Sequence, residues 1–373
     1  MRRVAANYVF QVSGPPLKNG IIEFDTQGKI ISVTDPGNNF KETSKLEFYN
    51  GILVPGLILP YCRIEPYIFQ SEITNYPSLR KFITRELLQI TSSPETDHRF
   101  SSLDKYLQRS GIHGVGSITN RYHFFRNKSE GKVKYHSFIE ILPEKKTDLL
   151  ESFNLAITEM TEGWNEYGLH SSIIPYDFCS EEENVAYISD YSLVHNNPMI
   201  LGCPGRKISS CSTLKKFFLI ISRLTGKTGS HVLASFKNPL MILAHDLDDS
   251  LTDLNDNIFF IIPTDQSEKD HYHLYEKDYW RRFSGNLLFS NYLFSFNRNV
   301  PVISELITLQ LKIPCLSFEN LIRCYTLNPA RALRMDHQAG SFIPGKIPGI
   351  NLITNFDFDT FKLTEKSEIK VIA

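Results

Sequence analysis

The residues best able to do chemistry in this chain are few and scattered. His245 follows the apolar run Leu240-Met241-Ile242-Leu243-Ala244, where a strand would end, and Asp246 comes next. Asp270-His271-Tyr272-His273 offers two imidazoles two residues apart, which an extended backbone can point the same way. That pair could ligate a metal, but its flanks Glu268-Lys269 and Glu276-Lys277-Asp278 are those of a polar surface loop, and one His pair supplies no third ligand. Six cysteines, at 62, 179, 203, 211, 315 and 324, form no C-x-x-C pair, so a zinc ribbon or disulfide framework is not indicated and they read as small reduced hydrophobes. Gly226-Lys227-Thr228 lacks the upstream glycine of a phosphate-binding loop, since that position is Ile221.

The composition sets the frame for these groups. The chain has 373 residues, 40 Lys+Arg against 41 Asp+Glu, and a formal net charge of −1. With its basic residues dispersed, it carries no electrostatic drive toward nucleic acid or an anionic membrane. Hydrophobic residues make up 42%, including 26 Phe and 17 Tyr, enough for a large core. No apolar run approaches the ~20 residues of a membrane span, and the opening residues lead into no signal-peptide core, so a cytoplasmic location is expected.

Short strands at Tyr8–Val12, Gly20–Phe24 and Lys29–Val33 are separated by turn residues at Ser13-Gly14-Pro15-Pro16 and Asp25-Thr26-Gln27-Gly28. Too small to bury a core alone, this unit needs the strands near the other end, Gly349–Thr354, Phe361–Leu363 and Ile369–Ile372. Between them, buried-type strand runs alternate with helical stretches such as Leu149–Tyr167 and Val300–Leu311. Such βα repeats close into a barrel or spread into an open doubly wound sheet, and periodicity does not separate the two.

Two segments resemble the amidohydrolase superfamily. Asn50-Gly51-Ile52-Leu53-Val54-Pro55-Gly56-Leu57-Ile58 is similar to its entry into the first barrel strand. Thr326-Leu327-Asn328-Pro329-Ala330-Arg331-Ala332-Leu333, followed by Gly340-Ser341-Phe342-Ile343-Pro344-Gly345-Lys346, resembles its "NPA-AL…GSI-PGK" ending. Gly111–Asn120 is similar to a "VGDISN" stretch of the branch holding aminodeoxyfutalosine deaminase and chlorohydrolase-like deaminases. The resemblance implies an α/β fold: a (β/α)8 TIM-like barrel over residues 55–337, with a composite β-sandwich from residues 1–54 plus 338–373.

The resemblance also implies a metal-activated water that hydrolyses C–N bonds, and the expected ligands are mostly replaced. Tyr61 and Arg63 stand at the two positions of the first strand's His-x-His, and a guanidinium has no lone pair to offer a metal. Gly202 falls at the fifth-strand histidine, and Gly205 at the glutamate three residues on. On the sixth strand His245 is retained. For the eighth strand, Ser290–Asn297 aligns with the motif that carries the metal-binding aspartate, which puts Tyr292 in its place. Ile173 stands at the histidine of a substrate-contacting "PHAPY" segment.

These substitutions lead to the expectation of a non-catalytic or small-molecule-binding member with no cofactor. One alternative is a divergent hydrolase holding a zinc or iron ion through His245, His271 and His273; another is an interaction platform pairing with a catalytic paralogue. Arg63 at the mouth needs an anionic partner. Glu65 and Asp246 are the candidates from the chain itself, with a small anionic molecule as the external one. An oligomer is possible.

Overall fold

A computed structural model describes residues 1–41, 45–64, 68–69, 93–119, 124–141, 149–175, 191–192, 194–195, 197–201, 219, 222–223, 237–243, 256–264, 280, 282–290 and 301–373. The first strands are β1 (Arg2–Val9), β2 (Leu17–Lys18), β3 (Ile21–Phe24), β4 (Ile30–Thr34) and β5 (Glu47–Pro55). Asp25 shapes the β3–β4 turn by accepting hydrogen bonds from the backbone N–H of Gln27 (2.8 Å) and Lys29 (2.9 Å), with Gly28 in the left-handed region. β1 starts earlier than its apolar pattern suggests, because Arg2 at its head is held by Glu47 of β5.

From the other end of the chain come β14 (Ile350–Asp357) and β15 (Lys362–Val371). All seven strands form one sheet, with β2 beside β1 and the remainder in the order β15-β14-β5-β1-β3-β4. β14 runs antiparallel to β5, with Ile350 opposite Pro55 and Ile353 opposite Ile52. Neither end could complete this sheet alone.

The middle of the chain supplies β6 (Leu57–Arg63), β7 (Ile112–Thr119), β8 (Lys134–Ile141), β9 (Ser171–Pro175), β10 (Met199–Leu201), β11 (Leu240–Leu243), β12 (Ile258–Pro263) and β13 (Leu287–Ser290). They form two four-stranded parallel sheets in chain order, β6-β7-β8-β9 and β10-β11-β12-β13. One apolar cluster takes a residue from every one of the eight: Ile58, Ile118, Phe138, Ile174, Ile200, Met241, Phe259 and Leu288. Their neighbours in sequence, such as Leu57, Ile139, Ile173, Ile242 and Phe260, join other clusters with the surrounding helices. The alternation marks an inner and an outer face. Where a closed barrel and a terminal sandwich are expected, the described residues form two parallel half-sheets sharing an inner core and a single terminal sheet. The eighth strand ends at Ser290, the first residue of the segment aligned with the family's motif.

The described helices are α1 (Pro94–Arg109), α2 (Phe125–Glu130), α3 (Leu149–Tyr167), α4 (Val302–Lys312), α5 (Phe318–Tyr325) and α6 (Leu327–Ala332). Ser93 and Thr96 form a reciprocal capping box at the start of α1, and Pro94 fits its first turn. The Asn-Pro-Ala motif has a structural role in α6. Asn328 Nδ2 donates to the carbonyls of Ser284 (2.8 Å) and Leu287 (2.9 Å), tying α6 to the base of β13. Ala330, Ala332 and Leu333 then join the inner cluster and close the N-terminal end of the strands.

Three contacts lock the terminal sheet to this body. Gln310 of α4 exchanges two hydrogen bonds with the backbone of Leu363, at 3.0 and 2.7 Å. Phe318 of α5 packs on Phe10 and Phe356, with ring centroids 5.1 and 4.8 Å apart. His113 at the foot of β7 shares a hydrogen bond with the carbonyl of Ile347 (2.8 Å). Burial first, and then the nearby Lys134 charge, pushes the pKa of His113 down from 6.5 to about 4.

A histidine kept neutral by folding supports the fold above its unfolded pKa and loses that support as the pH falls toward its folded one. Stability should therefore decline as the pH drops from about 6.5 to about 4. His113→Gln should flatten the decline in urea unfolding measured across that window; an unchanged slope would remove His113 from the account.

Candidate functional site

The site is built on an irregularity in β6. Leu59 pairs with Val115 and Cys62 with Ser117, so β6 spends three steps where β7 spends two. The extra residue is a β-bulge, a device that re-aims side chains. Opposite it stands Gly116, where a Cβ would come within 2.1 Å of the Pro60 carbonyl. Because of the bulge, Tyr61 joins Ile58 in the inner cluster, and Arg63, two residues on, turns inward as well.

Arg63 is completely buried. Its Nη2 donates to Oε2 of Glu140, whose side chain is 2% exposed. Glu140 lies two residues beyond the inner Phe138 and so faces the same way. On the far side, Ser290 Oγ at the end of β13 donates to the Tyr61 carbonyl, joining the last strand to the first. Beneath Phe138, His136 Nε2 shares a 2.8 Å hydrogen bond with Ser172 Oγ. Burial, followed by the charges of His170, Lys128 and Arg334, pushes the pKa of His136 down to about 3, which keeps the ring neutral.

The sequence singled out some of these groups and missed others. Tyr61 and Arg63 stand together at the end of β6 as expected. Ile173 does not join them: it packs with Phe153 and Ala156 of α3 on the helix side, while Ile174 faces inward, and one step along a strand reverses the face. Glu65, Gly202, His245, Asp246, His271, His273 and Tyr292 lie outside the described residues. Glu140 was not considered for the site, although an acid inside the apolar run Phe138-Ile139-Glu140-Ile141 is the signal of a buried, paired carboxylate. Ser290 gave no such signal.

The family model for the Amidohydrolase family matches residues 220–372. Solved structures with the same fold span nearly the whole chain. An adenosine deaminase from Xanthomonas campestris with bound Zn has a TM-score of 0.66 at 14% identity, covering 97% of this chain and 87% of its own. The aminofutalosine deaminase of Helicobacter pylori in complex with methylthio-coformycin has a TM-score of 0.65 at 13% identity, covering 98% and 94%. Atrazine chlorohydrolase TrzN from Arthrobacter aurescens TC1, complexed with zinc, has a TM-score of 0.64 at 11% identity, covering 98% and 90%. No curated protein matches the chain by sequence. Residues 220–372 thus resemble that family, and nearly the whole chain shares the fold of these solved structures.

The comparisons correct one expectation. Two of these neighbours hold zinc, which points to a metal cofactor for this architecture, and the expectation of no cofactor does not stand. The end of β6 nevertheless does not fit such an ion. Arg63 brings a fixed positive charge, and Glu140 is engaged in neutralising it. Among the described residues no three His, Cys, Asp or Glu side chains converge as a metal set. A metal in this chain would be held by groups other than Tyr61 and Arg63. Among the described residues, no helix is long and apolar enough to cross a membrane.

Removing one member of a buried ion pair strands the other charge at a cost of about 3–5 kcal/mol. Arg63→Met should destabilise the protein by that amount in chemical denaturation. A loss below ~1 kcal/mol would show that Glu140 is readily solvated and that the pair is not buried in solution.

Proposed function

We propose that this chain does not carry out metal-dependent hydrolysis with the usual ligand set, and that the mouth of its barrel serves to bind a small molecule without breaking a bond in it. The observation that carries this reading is the buried Arg63–Glu140 pair at the strand end where the resemblance places a His-x-His. A guanidinium there excludes a ligated ion from the position and supplies no group that could deprotonate water, since it stays protonated at every accessible pH. With Glu140 opposing the charge of Arg63 and both side chains withdrawn from solvent, a small molecule would bind above a closed, neutralised base and not to a free cation.

The same proposal includes the finer architecture. The eight strands β6 to β13 form a closed (β/α)8 barrel over residues 55–337, supported by their shared inner cluster and by the bridge from Ser290 to Tyr61. Residues 1–54 and 338–373 form the sandwich. Val4, Ala6, Ile22, Leu53 and Ile350 are fully buried in a cluster whose other members are residues of the same sheet and Phe342, as a sheet folded over itself would bury them.

The zinc-bearing neighbours favour a second reading, a divergent hydrolase or deaminase acting on C–N bonds through ligands outside β6. One assay separates the two. Purified protein supplied with zinc, iron or manganese should release no product from adenosine, aminofutalosine or a chlorinated triazine above the rate in buffer. Metal-dependent turnover of any of them would establish the second reading.

A further inference from the structure

A cavity of about 100 Å3 lies where the terminal sheet meets the starts of β6 and β7. It is at the opposite end of β6 from Arg63. Gly28, Gly56, Gly111 and Gly349 form much of its wall, and His113 and Asn351 bring polar groups to it. The volume is below the ~150 Å3 that takes benzene in an apolar interior, so it admits a molecule of about four or five heavy atoms.

The bonds that His113 and Asn351 already make fix what each can offer a ligand. His113 Nε2 stands 2.8 Å from the carbonyl of Ile347, and a carbonyl accepts, so Nε2 carries the proton and Nδ1 keeps a lone pair. Nδ1 lies on the Gly349 side, where an added Cβ would come within 2.8 Å of it. Asn351 is 2% exposed and donates from Nδ2 to the carbonyl of Gly111 at 2.7 Å, which leaves Oδ1 as the atom it can present elsewhere. An added Cβ at Gly111 would stand 2.7 Å from that Nδ2. The two glycines thus leave room for the polar groups that face them.

Two acceptors call for a donor, and an anion would meet only their lone pairs. A cation is opposed by Lys132, whose side chain is the one charged among the described lining residues, and by Lys134, whose ammonium donates to the carbonyl of Ile347 at 3.3 Å. A neutral group satisfies both conditions if it has N–H donors at one end and, at the other, an acceptor for Lys132 and the amides of Gln27 and Gln108 on the lining. A primary carboxamide has that arrangement within four heavy atoms.

We propose that this cavity is a binding site for a small neutral primary amide, its NH2 donating to His113 Nδ1 and Asn351 Oδ1 and its carbonyl accepting from the Lys132 side. The site is separate from the barrel mouth and independent of the function proposed for it.

The test compares three molecules of one shape and different charge: acetamide, acetate and acetamidinium. Each is titrated into isotope-labelled protein while the backbone amides of Gly28, Gly56, Gly111 and Gly349 are followed by NMR. Acetamide should shift these signals saturably, in the millimolar range expected of so few heavy atoms, and should bind at least about fivefold tighter than either ion. Gln108→Trp, at an exposed position of α1, should leave Tm unchanged, cover the rim and abolish the shifts. Lys132→Met, also at an exposed position, should weaken acetamide binding several-fold. The proposal would be overturned by absent or non-saturating shifts with acetamide, by acetate or acetamidinium binding as tightly, or by full acetamide affinity in either folded variant.

Discussion

A charge buried among apolar strands must be answered there, and the Arg63–Glu140 pair is that answer here. Both groups are withdrawn from water, where a lone guanidinium or carboxylate would cost several kcal/mol, and each opposes the charge of the other. The two residues stand on β6 and β8, with β7 between them, a separation of roughly two strand spacings. Long side chains bridge that gap only if both point inward at the same height. The bulge at Pro60–Tyr61, admitted by the absent side chain of Gly116, gives Arg63 that orientation. The inner parity of β8 gives it to Glu140. Local backbone irregularity, one glycine and one ion pair thus form a single dependent unit.

That unit also bears on how the architecture can be used. Fold neighbours include an adenosine deaminase with bound zinc and a chlorohydrolase complexed with zinc, so the same architecture holds a metal in other proteins. In the present chain the end of the first strand presents an always-protonated guanidinium, which repels a cation where a nitrogen ligand would grip one. Glu140 then acts as counter-ion to a side chain.

Much of the fold was legible because it follows from local physics. Leu149–Tyr167 reads as a helix from its spacing and is one, and the Asp25–Gly28 turn is fixed by the carboxylate and glycine visible in the sequence. The terminal motifs were legible as a resemblance, and the structure gives them mechanical meaning: Asn328 anchors α6 to β13, and the segment from Gly340 to Lys346 exchanges backbone hydrogen bonds with Ile30. What was not legible depends on pairing across distant segments. The bulge exists only relative to β7, so its effect on Tyr61 and Arg63 is invisible along β6 alone. That Ile173 faces the helices and Ile174 the interior is not readable in the sequence, because apolar strands buried on both faces give no alternation from which to set the face. Glu140 sits 77 positions from Arg63 and announces itself only as an acid out of place.

The central claim is that Arg63 and Glu140 stabilise the mouth through each other and not separately. A double-mutant cycle in urea unfolding, using Arg63→Met, Glu140→Leu and the two combined, measures that coupling directly. The account predicts a combined variant more stable than the sum of the single losses implies, with an interaction energy of about 2–3 kcal/mol, because removing both charges leaves neither one stranded. Strictly additive losses would contradict it, since they would mean that each group is satisfied by partners of its own.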